Sequence, residues 1–241
     1  MKLLIIRHGD PDYENDTLTE KGRREAELLA ERLSGLKVKA AYCSPLGRAR
    51  DTAAPSLKKL GINYEIIDWL REFDGYIIDP DTGEKRIPWD LMPAFWTACE
   101  EFYDRKKWLD TPLMQSGNVR EKYERACAGL DGLLEKHGYR RDGNIYRAEN
   151  ANNDTLLFFC HFGVECVLLS HLLGISPVNL WHGFTALTSS VTTLVTEERE
   201  KGSAYFRCCG FGDLSHLYAA GEPASFAARF CETYSNTEER H

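Results

Sequence analysis

The sequence lacks any hydrophobic run long enough to cross a membrane. No stretch of its 241 residues approaches the roughly 18 consecutive apolar residues of a membrane helix. The apolar stretch Leu3–Ile6 is interrupted by Arg7 and His8, and it is too short for the hydrophobic region of a signal peptide. We therefore expect a soluble, cytoplasmic protein that has no membrane partner.

An excess of positive charge is also missing. The chain has 30 Lys and Arg residues against 37 Asp and Glu residues, which gives a formal net charge of −7. Broad contact with a phosphate backbone requires a basic surface, so this composition argues against a nucleic acid partner. An anionic substrate must instead be held by a local cluster of cationic side chains.

Patterns typical of disulfide scaffolds and metal sites are absent as well. The eight cysteines include no C-x-x-C pair, and their spacings match no small secreted scaffold. Cys43, Cys160 and Cys166 lie in apolar runs, where a free thiol packs as a small hydrophobic group. No two histidines have the four-residue spacing of a helical metal site. We predict reduced cysteines and no bound metal.

Strand and helix patterns alternate at the start of the chain. Leu3–Ile6 is a short β-prone run, and a helical pattern over residues 19–35 follows it. Val38–Cys43 predicts a second strand, a helix begins near Pro45, and Asn63–Ile67 predicts a third strand. This order predicts an α/β fold, a three-layer α/β/α sandwich with a mostly parallel central sheet.

The pattern changes in residues 75–150, which are rich in aromatic side chains. Helices are expected near residues 91–107 and 118–137. We interpret this stretch as a helical cap subdomain inserted into one domain that spans residues 1–241, with its aromatic residues mainly in the core. The α/β pattern resumes after it, and a last helix is predicted over residues 225–234.

Reactive side chains follow the predicted strands. Arg7 and His8 come directly after the first strand, and Arg48 stands at the beginning of the helix after the second. Glu72 follows the third strand, and His161 follows a later one. Ligands of open α/β sheets bind beyond the carboxyl ends of the strands, and guanidinium and imidazole groups suit phosphate. These residues therefore predict a phosphate-binding pocket.

Four short motifs carry a family resemblance. Residues 7–9 (Arg-His-Gly), 44–49 (Ser-Pro-Leu-Gly-Arg-Ala), 70–72 (Leu-Arg-Glu) and 161–163 (His-Phe-Gly) occur in the order found in the histidine phosphatase superfamily, the phosphoglycerate mutase-like group. Each motif is weak alone, but together they resemble that family over most of the chain outside the insert.

The resemblance implies a role for each residue. His8 is expected to be the nucleophile that forms a phosphohistidine, with Arg7, Arg48 and His161 around the phosphoryl oxygens. Glu72 is expected to be the general acid and then the general base, which requires a raised pKa. No cofactor is implied, and the substrate class is a small phosphorylated metabolite.

Two departures from the family pattern bear on these roles. The family usually has two glycines after the second histidine, but this chain has Phe162 and Gly163. Phe162 is therefore a candidate for narrowing the pocket or stacking on a substrate. The acidic segment is also short, which leaves Asp74 as an alternative to Glu72 as the proton donor.

Three further residues are candidates for the rim of the pocket. Asn15 lies one position beyond the place where the family often has a phosphate-binding asparagine. His182 and His216 are further candidates near the rim of the pocket. A structural or surface role is the alternative for both histidines.

Alternative functions remain at this point. A phosphoglycerate mutase uses the same pocket but carries an Arg-rich stretch in its insert; this insert has residues 105–107 (Arg-Lys-Lys) and Arg120 without that motif. A catalytically inactive phosphate- or phosphoprotein-binding module is a second alternative, and a metal site of His8, His161 and a carboxylate is a third. The oligomeric state is open, and a homodimer is one option.

Overall fold

The computed structural model of the chain describes residues 1–227 and 229–240. The strands are β1 Lys2–Arg7, β2 Pro11–Asp12, β3 Thr17–Leu18, β4 Ala40–Cys43, β5 Glu65–Ile66, β6 Ile77–Ile78, β7 Lys85–Arg86, β8 Tyr139–Asp142, β9 Ile145–Ala148, β10 Thr155–Cys160, β11 Val191–Glu200 and β12 Ser203–Asp213. The α-helices are α1 Glu20–Leu33, α2 Gly47–Leu60, α3 Pro93–Trp96, α4 Pro112–Gln115, α5 Val119–Lys136, α6 Phe162–Leu173, α7 Pro177–Gly183 and α8 Ser215–Ala220. Short 3-10 helices cover Asp68–Leu70, Glu100–Tyr103 and Trp108–Asp110. Among these described residues, no helix combines the length and the apolar character needed to cross a membrane.

Eight strands form one central sheet in the order β5-β4-β10-β1-β11-β12-β9-β8. The half from β5 to β1 is parallel, and the strands from β11 to β8 join it through antiparallel pairs. The predicted α/β class is confirmed. The expectation of a mostly parallel sheet is wrong, because β8–β9 and β11–β12 are hairpins, whose short turns allow only antiparallel pairing.

The two faces of the sheet carry separate hydrophobic cores. Alternate residues of a strand point to opposite sides, so Leu4 and Ile6 of β1 pack in the core under α1 and α2. Leu3 and Ile5 belong to the larger core on the other face, which α5, α6 and α7 cover. Helix, sheet and helix therefore form the three predicted layers.

Helix α6 begins directly after β10 and is enclosed on almost every side. Nine of its twelve residues are buried, as expected of a helix that is apolar all round. Its amino terminus lies at the carboxyl edge of the parallel strands because β10 runs straight into it. The fold thus places the start of α6 at the same edge of the sheet as the carboxyl ends of β1, β4 and β10.

Residues 75–150 differ in part from the expected inserted helical subdomain, because their last part forms β8 and β9 of the central sheet. The second predicted helix corresponds to α5, but the helix expected at 91–107 is replaced by α3 and two 3-10 helices. Residues seven apart share one face of a helix, yet Phe95 is half exposed whereas Phe102 is buried. A single helix over this stretch is incompatible with that burial.

The predicted last helix is also wrong in position. Helix α8 ends at Gly221, which adopts a left-handed conformation with φ of 66°, and Pro223 follows it. Glycine and proline in this order terminate a helix. Residues 225–227 and 229–234 form no helix; Ala228, inside the same predicted helix, lies outside the described residues.

The insert and the sheet share one core through Trp108. Its side chain is fully buried, and its ring lies edge-on to Tyr123 of α5 at 5.0 Å and to Trp181 of α7 at 5.8 Å. Both distances join ring centroids. The same cluster includes Leu3 and Ile5 of the central strand β1, so the residues of the insert pack against the sheet domain.

Replacement of Trp108 by alanine is expected to lower the free energy of unfolding by about 3–5 kcal/mol, because a buried indole leaves a cavity. Urea denaturation followed by circular dichroism measures the change, and Tyr218→Ala at an exposed position is the control. A separate early transition of the insert, with the main transition unchanged, would contradict a shared core.

Candidate active site

The register of two parallel strands brings two histidines together. Arg7 at the end of β1 lies opposite Cys160 at the end of β10, so His8 and His161 leave the sheet side by side. The backbone N–H of His8 donates to the carbonyl of Cys160 at 3.0 Å, and the two imidazole centroids are 5.1 Å apart. The structure thus joins two residues that are about 150 positions apart in the sequence.

His8 has a defined tautomer. Its Nδ1 lies 2.8 Å from the carbonyl oxygen of Gly9, and a carbonyl only accepts, so Nδ1 carries the proton and Nε2 keeps its lone pair. Nε2 has no hydrogen-bond partner in the part of the chain that the structure describes. Burial, and then the charge of Arg7, lower the pKa of His8 to about 3. The imidazole is therefore neutral near pH 7, as a nucleophile must be.

His161 is held from the neighbouring strand. Its Nε2 lies 2.7 Å from the hydroxyl of Ser44, the residue that follows β4. Its Nδ1 is buried and has no partner among residues 1–227 and 229–240. Burial, followed by the nearby His8 and Arg48, holds the pKa of His161 well below its usual value.

Two arginines add positive charge beside His8. Arg7 is buried and donates to the carbonyl of Ala186. Arg48 stands in the first turn of α2 and forms an ion pair with Asp16 at 2.7 Å. Both arginine charges lower the pKa of His8, and the buried Nε atoms of both arginines have no partner among the described residues. These two N–H groups are unsatisfied within the described residues, and guanidinium groups suit a phosphate.

The Glu72 carboxyl is anchored at the amino terminus of α6. Its Oε1 accepts the backbone N–H of Phe73 at 2.8 Å and of Val164 at 3.2 Å. Burial raises the pKa of Glu72 and outweighs these two hydrogen bonds and the charge of Arg7, which all lower it. Oε2 has no hydrogen-bond partner in the described residues. This carboxyl can therefore hold a proton on a free oxygen.

Gly163 makes room for Glu72. A Cβ atom built on Gly163 would lie 2.6 Å from Glu72 Oε1, closer than two such atoms approach. The preceding Phe162 meets no such limit, and its ring lies 6.0 Å from the guanidinium carbon of Arg7. This geometry explains why the second residue after His161 is glycine here although the first is not.

The remaining candidates bind other parts of the protein. The amide of Asn15 donates to Asp12 at 2.8 Å in an exposed loop. His182 donates from Nδ1 to a carbonyl of α7 at 2.9 Å, and its Nε2 accepts the N–H of Leu91 at 3.1 Å. His216 lies 3.1 Å from a serine hydroxyl just before β11. These contacts fit structural roles, although the serine beside His216, Ser189, also donates its backbone N–H to the carbonyl of His8 at 2.9 Å.

Asp74 lies in a different environment from Glu72. It is exposed, and its carboxylate accepts from the Lys122 ammonium at 2.9 Å. The structure brings Glu72, and not Asp74, against the helix start that follows His161.

Sequence reasoning missed three residues of this region. Asp16 pairs with Arg48 through space from a loop, for which the sequence offers no signal. Glu165 is buried in α6 with no partner for either oxygen in the described residues, and burial raises its pKa to about 7. Its place in an apolar helical run is a signal that could have marked it. Trp89, from the insert, packs against Gly163.

No group of three His, Cys, Asp or Glu side chains in the described residues has an arrangement that could hold a metal ion. The positive groups around His8 are instead side chains of the protein itself, Arg7 and Arg48. The site therefore presents a neutral nucleophile, two fixed positive charges and a carboxyl with a raised pKa in one small volume.

Comparison with known proteins agrees with this geometry. The family model described as the histidine phosphatase superfamily (branch 1) matches residues 3–206. The chain belongs to the histidine phosphatase superfamily. The resemblance that the four short motifs suggested is thereby confirmed, and with it the general class of phosphatase and mutase-like enzymes.

Several relatives are similar over different lengths. A probable phosphatase of Schizosaccharomyces pombe is 42% identical, and the match covers 90% of this chain and 95% of that protein. A 2,3-bisphosphoglycerate-dependent phosphoglycerate mutase of Thermoplasma acidophilum is 43% identical over 60 residues, which cover 21% of this chain and 30% of that protein. The crystal structure of a phosphoserine phosphatase variant of Entamoeba histolytica with phosphoserine superposes with a TM-score of 0.60 at 19% identity, covering 90% and 98% of the two chains. That last likeness establishes the shared fold.

Substitution of Gly163 by alanine is expected to lower kcat about 100-fold, because its Cβ would displace the Glu72 carboxyl and misplacement by about 1 Å costs that much. Release of phosphate from a synthetic phosphomonoester measures the effect. Gly210→Ala is the control, since a Cβ there meets no atom within 4 Å. An unchanged kcat in Gly163→Ala would mean that the position of Glu72 is unimportant.

Proposed function

We propose that this protein is a phosphomonoester hydrolase in which His8 carries the phosphoryl group as phosphohistidine. The observation that carries the proposal is the tautomer of His8. Its Nδ1–H is bound to the carbonyl of Gly9, which leaves the lone pair of Nε2 free for attack. The membership of the chain in its superfamily supports the same assignment.

In the first step, His8 Nε2 attacks phosphorus while the ester P–O bond breaks. The N–P bond forms, and the leaving alkoxide takes the proton from Glu72 Oε2. Arg7, Arg48 and His161 donate to the phosphoryl oxygens, whose charge is spread in the transition state. The raised pKa of Glu72 keeps its carboxyl protonated before this step. After the proton transfer, Glu72 is ionised.

In the second step, water attacks phosphorus and the N–P bond breaks. Glu72, now ionised, takes one proton of the attacking water, so the carboxyl returns to its starting state. Inorganic phosphate leaves, and His8 regains its lone pair on Nε2. The Glu72 carboxyl thus serves as the acid of the first step and as the base of the second step.

The surroundings of Arg120 favour a phosphatase over a mutase. A mutase must hold a second phosphate, but Arg120 forms ion pairs with Asp110 at 2.6 Å and Glu124 at 3.6 Å on the surface. The relative named as a mutase also matches only a short part of this chain, whereas the probable phosphatase matches most of it. We therefore propose hydrolysis as the outcome of the reaction.

A small phosphorylated metabolite is the proposed substrate class. The named structural relative binds phosphoserine, a small phosphomonoester. Phe162 lies near Arg7 and Trp89 packs against Gly163, and we propose that these two rings favour a compact leaving group.

Substitution of His8 by alanine is expected to abolish phosphate release, since no nucleophile remains. The wild-type protein should also take up label from a radioactive phosphomonoester in an acid-labile, base-stable form, as expected of phosphohistidine. Rapid quenching followed by mass spectrometry locates the label, and the control is His171→Ala, since His171 lies in the last turn of α6 and contacts Asp131.

Three results would count against the proposal. Turnover in His8→Ala would remove the nucleophile assignment, and phosphate binding without label or turnover would indicate a binding module. Efficient isomerisation of 3-phosphoglycerate in the presence of a bisphosphate primer, without release of phosphate, would indicate a mutase.

The pH dependence tests Glu72. Because the acid must be protonated and its pKa is raised, kcat/KM for an alkyl phosphate should fall as the pH rises through that pKa. Glu72→Gln should lower kcat/KM by about 10²–10⁴ and flatten this fall. For a nitrophenyl ester, whose leaving group needs no proton, Glu72→Gln should lower kcat/KM much less.

Asp74→Asn is the matched control for Glu72→Gln, because it changes a carboxyl two residues away that is paired at the surface. Its pH profile should equal that of the wild type. If Asp74→Asn loses the alkaline fall while Glu72→Gln keeps it, the proton donor is Asp74.

A further inference from the structure

Glu25 is a fully buried carboxyl in the first half of α1. Its Oε2 accepts the backbone N–H of Asp10 at 2.9 Å, and its Oε1 accepts the hydroxyl of Thr188 at 3.1 Å. Lys21, one turn earlier in α1, forms an ion pair with Glu222 instead. A buried carboxyl without a cationic partner is costly, so its position calls for an explanation.

One peptide unit links Glu25 to the imidazole of His8. The carbonyl of Gly9 accepts from His8 Nδ1 at 2.8 Å, and the N–H of the same peptide unit, that of Asp10, donates to Glu25. The carbonyl and N–H of a trans peptide point to opposite sides of one plane, and hydrogen bonds at its two ends polarise each other. Carboxyl, peptide and imidazole therefore form one continuous chain of hydrogen bonds.

The other polar groups of this loop have different partners. The N–H of Gly9 donates to the hydroxyl of Thr52 at 2.8 Å. The side chain of Asp10 accepts from the hydroxyls of Thr19 and Ser225. Glu25 is therefore the carboxyl that is in line with the Nδ1–H of His8.

Two glycines hold this chain together by close approach of the backbone. A Cβ built on Gly9 would lie 2.8 Å from the carbonyl oxygen of Gly22, and a Cβ built on Gly22 would overlap the carbonyl oxygen of Asp10. The first turn of α1 thus lies directly against the loop that follows His8. Glu25, three residues after Gly22, lies on the same face of the helix.

We propose that Glu25 is a positioning residue for His8, whose carboxylate acts through the Gly9–Asp10 peptide to stabilise the positive charge of the phosphorylated imidazole. When Nε2 bonds to phosphorus and Nδ1 keeps its proton, the ring becomes cationic. Arg7 and Arg48 disfavour a positive charge on this ring, and a carboxylate behind the ring offsets part of that cost. This inference rests on the proposed function and deepens it.

The charge of Glu25 changes near neutral pH. Burial raises the pKa of Glu25 to about 7 against the hydrogen bonds from Asp10 and Thr188, which lower it; the Asp10 carboxylate also raises it, and Lys21 lowers it. Glu25 is therefore protonated at pH 5.5 and ionised at pH 8.5. The stabilisation of the phosphorylated ring should appear as the pH rises through this pKa, opposite in sign to the effect of Glu72.

The surroundings of α1 contribute other charged groups. Burial lowers the pKa of His216 in α8 to about 4, so its charge does not change between pH 5.5 and 8.5. The remaining charged groups on α1, α2 and the segments beside them have partners other than Glu25: Arg24 with Glu27, Arg32 with Asp213, Arg48 with Asp16, Lys59 with Glu31, and Asp51 with the hydroxyl of Thr17.

Glu25→Gln tests the role of the charge. Its amide oxygen can accept the N–H of Asp10 and its NH₂ can donate to Thr188, so the hydrogen bonds are kept while the charge is lost. Nitrophenol release from nitrophenyl phosphate, measured by stopped flow in a single turnover, reports the first step without the proton of Glu72. The ratio of the wild-type rate to that of Glu25→Gln should be near one at pH 5.5 and about tenfold at pH 8.5, with half-saturation unchanged.

Two further variants complete the design. Glu27→Gln makes the same chemical change at an exposed position of α1, so its rate should equal that of the wild type at every pH. Thr188→Val removes a hydrogen bond that lowers the pKa of Glu25. It should shift the midpoint of the rise to higher pH while the carboxyl remains.

The outcomes separate the inference from the function on which it rests. A wild-type to Glu25→Gln ratio that is the same at every pH would show that Glu25 only holds the loop, while hydrolysis stands. If thermal unfolding shows that Glu25→Gln does not fold, Thr188→Val decides, and an unshifted midpoint refutes the inference.

If no phosphomonoester is turned over and His8 takes no label, the proposed function itself fails. The proton resonance of His8 Nδ1–H then tests the link to Glu25 without turnover. It should shift between pH 5.5 and 8.5 in the wild type and in Glu27→Gln but not in Glu25→Gln. A resonance that behaves alike in all three proteins refutes the coupling.

Discussion

The parallel pairing of β1 with β10 is the constraint on which the site depends. With Arg7 opposite Cys160, the next residue of each strand is a histidine, and both histidines leave the sheet at the same edge. A shift of this register by one residue would turn every side chain of β1 to the other face, and both hydrophobic cores oppose such a shift. Packing of Leu3 and Leu4 on opposite faces therefore helps to fix where the His8 and His161 rings leave the sheet.

The Glu72 carboxyl is governed by opposing effects. Two backbone N–H groups and nearby arginines favour its ionised form, whereas burial favours the protonated form and is the larger effect. Since Oε1 receives both N–H groups, the proton is directed to Oε2. The same helix start that orients this carboxyl follows His161, so Glu72 and His161 are positioned by one element. The position of the Glu72 carboxyl leaves no space for a side chain at Gly163.

Much of the site could be predicted because it lies at strand ends and helix starts, which local patterns reveal. His8, His161 and Arg48 each follow a strand that the sequence marks, and the α/β rule places such ends on one edge. The partners that come through space could not be predicted in this way. Asp16 reaches Arg48 from a loop, and Trp89 reaches Gly163 from the insert, where the order of aromatic residues does not determine which ones are buried.

Strand direction and helix continuity escaped prediction for similar reasons. A short apolar run indicates a strand but not the direction of its neighbour, so the antiparallel half of the sheet had no distinct signal. The aromatic spacing near Phe95 and Phe102 is compatible with a helix until burial separates the two rings. Tertiary packing determines both features. It depends on contacts between residues far apart in the sequence, which a local pattern does not contain.

The ion pair between Arg48 and Asp16 has a consequence for the binding of anions. The Asp16 carboxylate occupies one nitrogen of the guanidinium and also accepts the N–H of Gly47, so Arg48 is aligned before any ligand arrives. Part of its charge is thereby neutralised, and a bound phosphate meets a weaker attraction than from an unpaired arginine. Asp16 therefore keeps Arg48 oriented while it lowers the affinity of Arg48 for an anion.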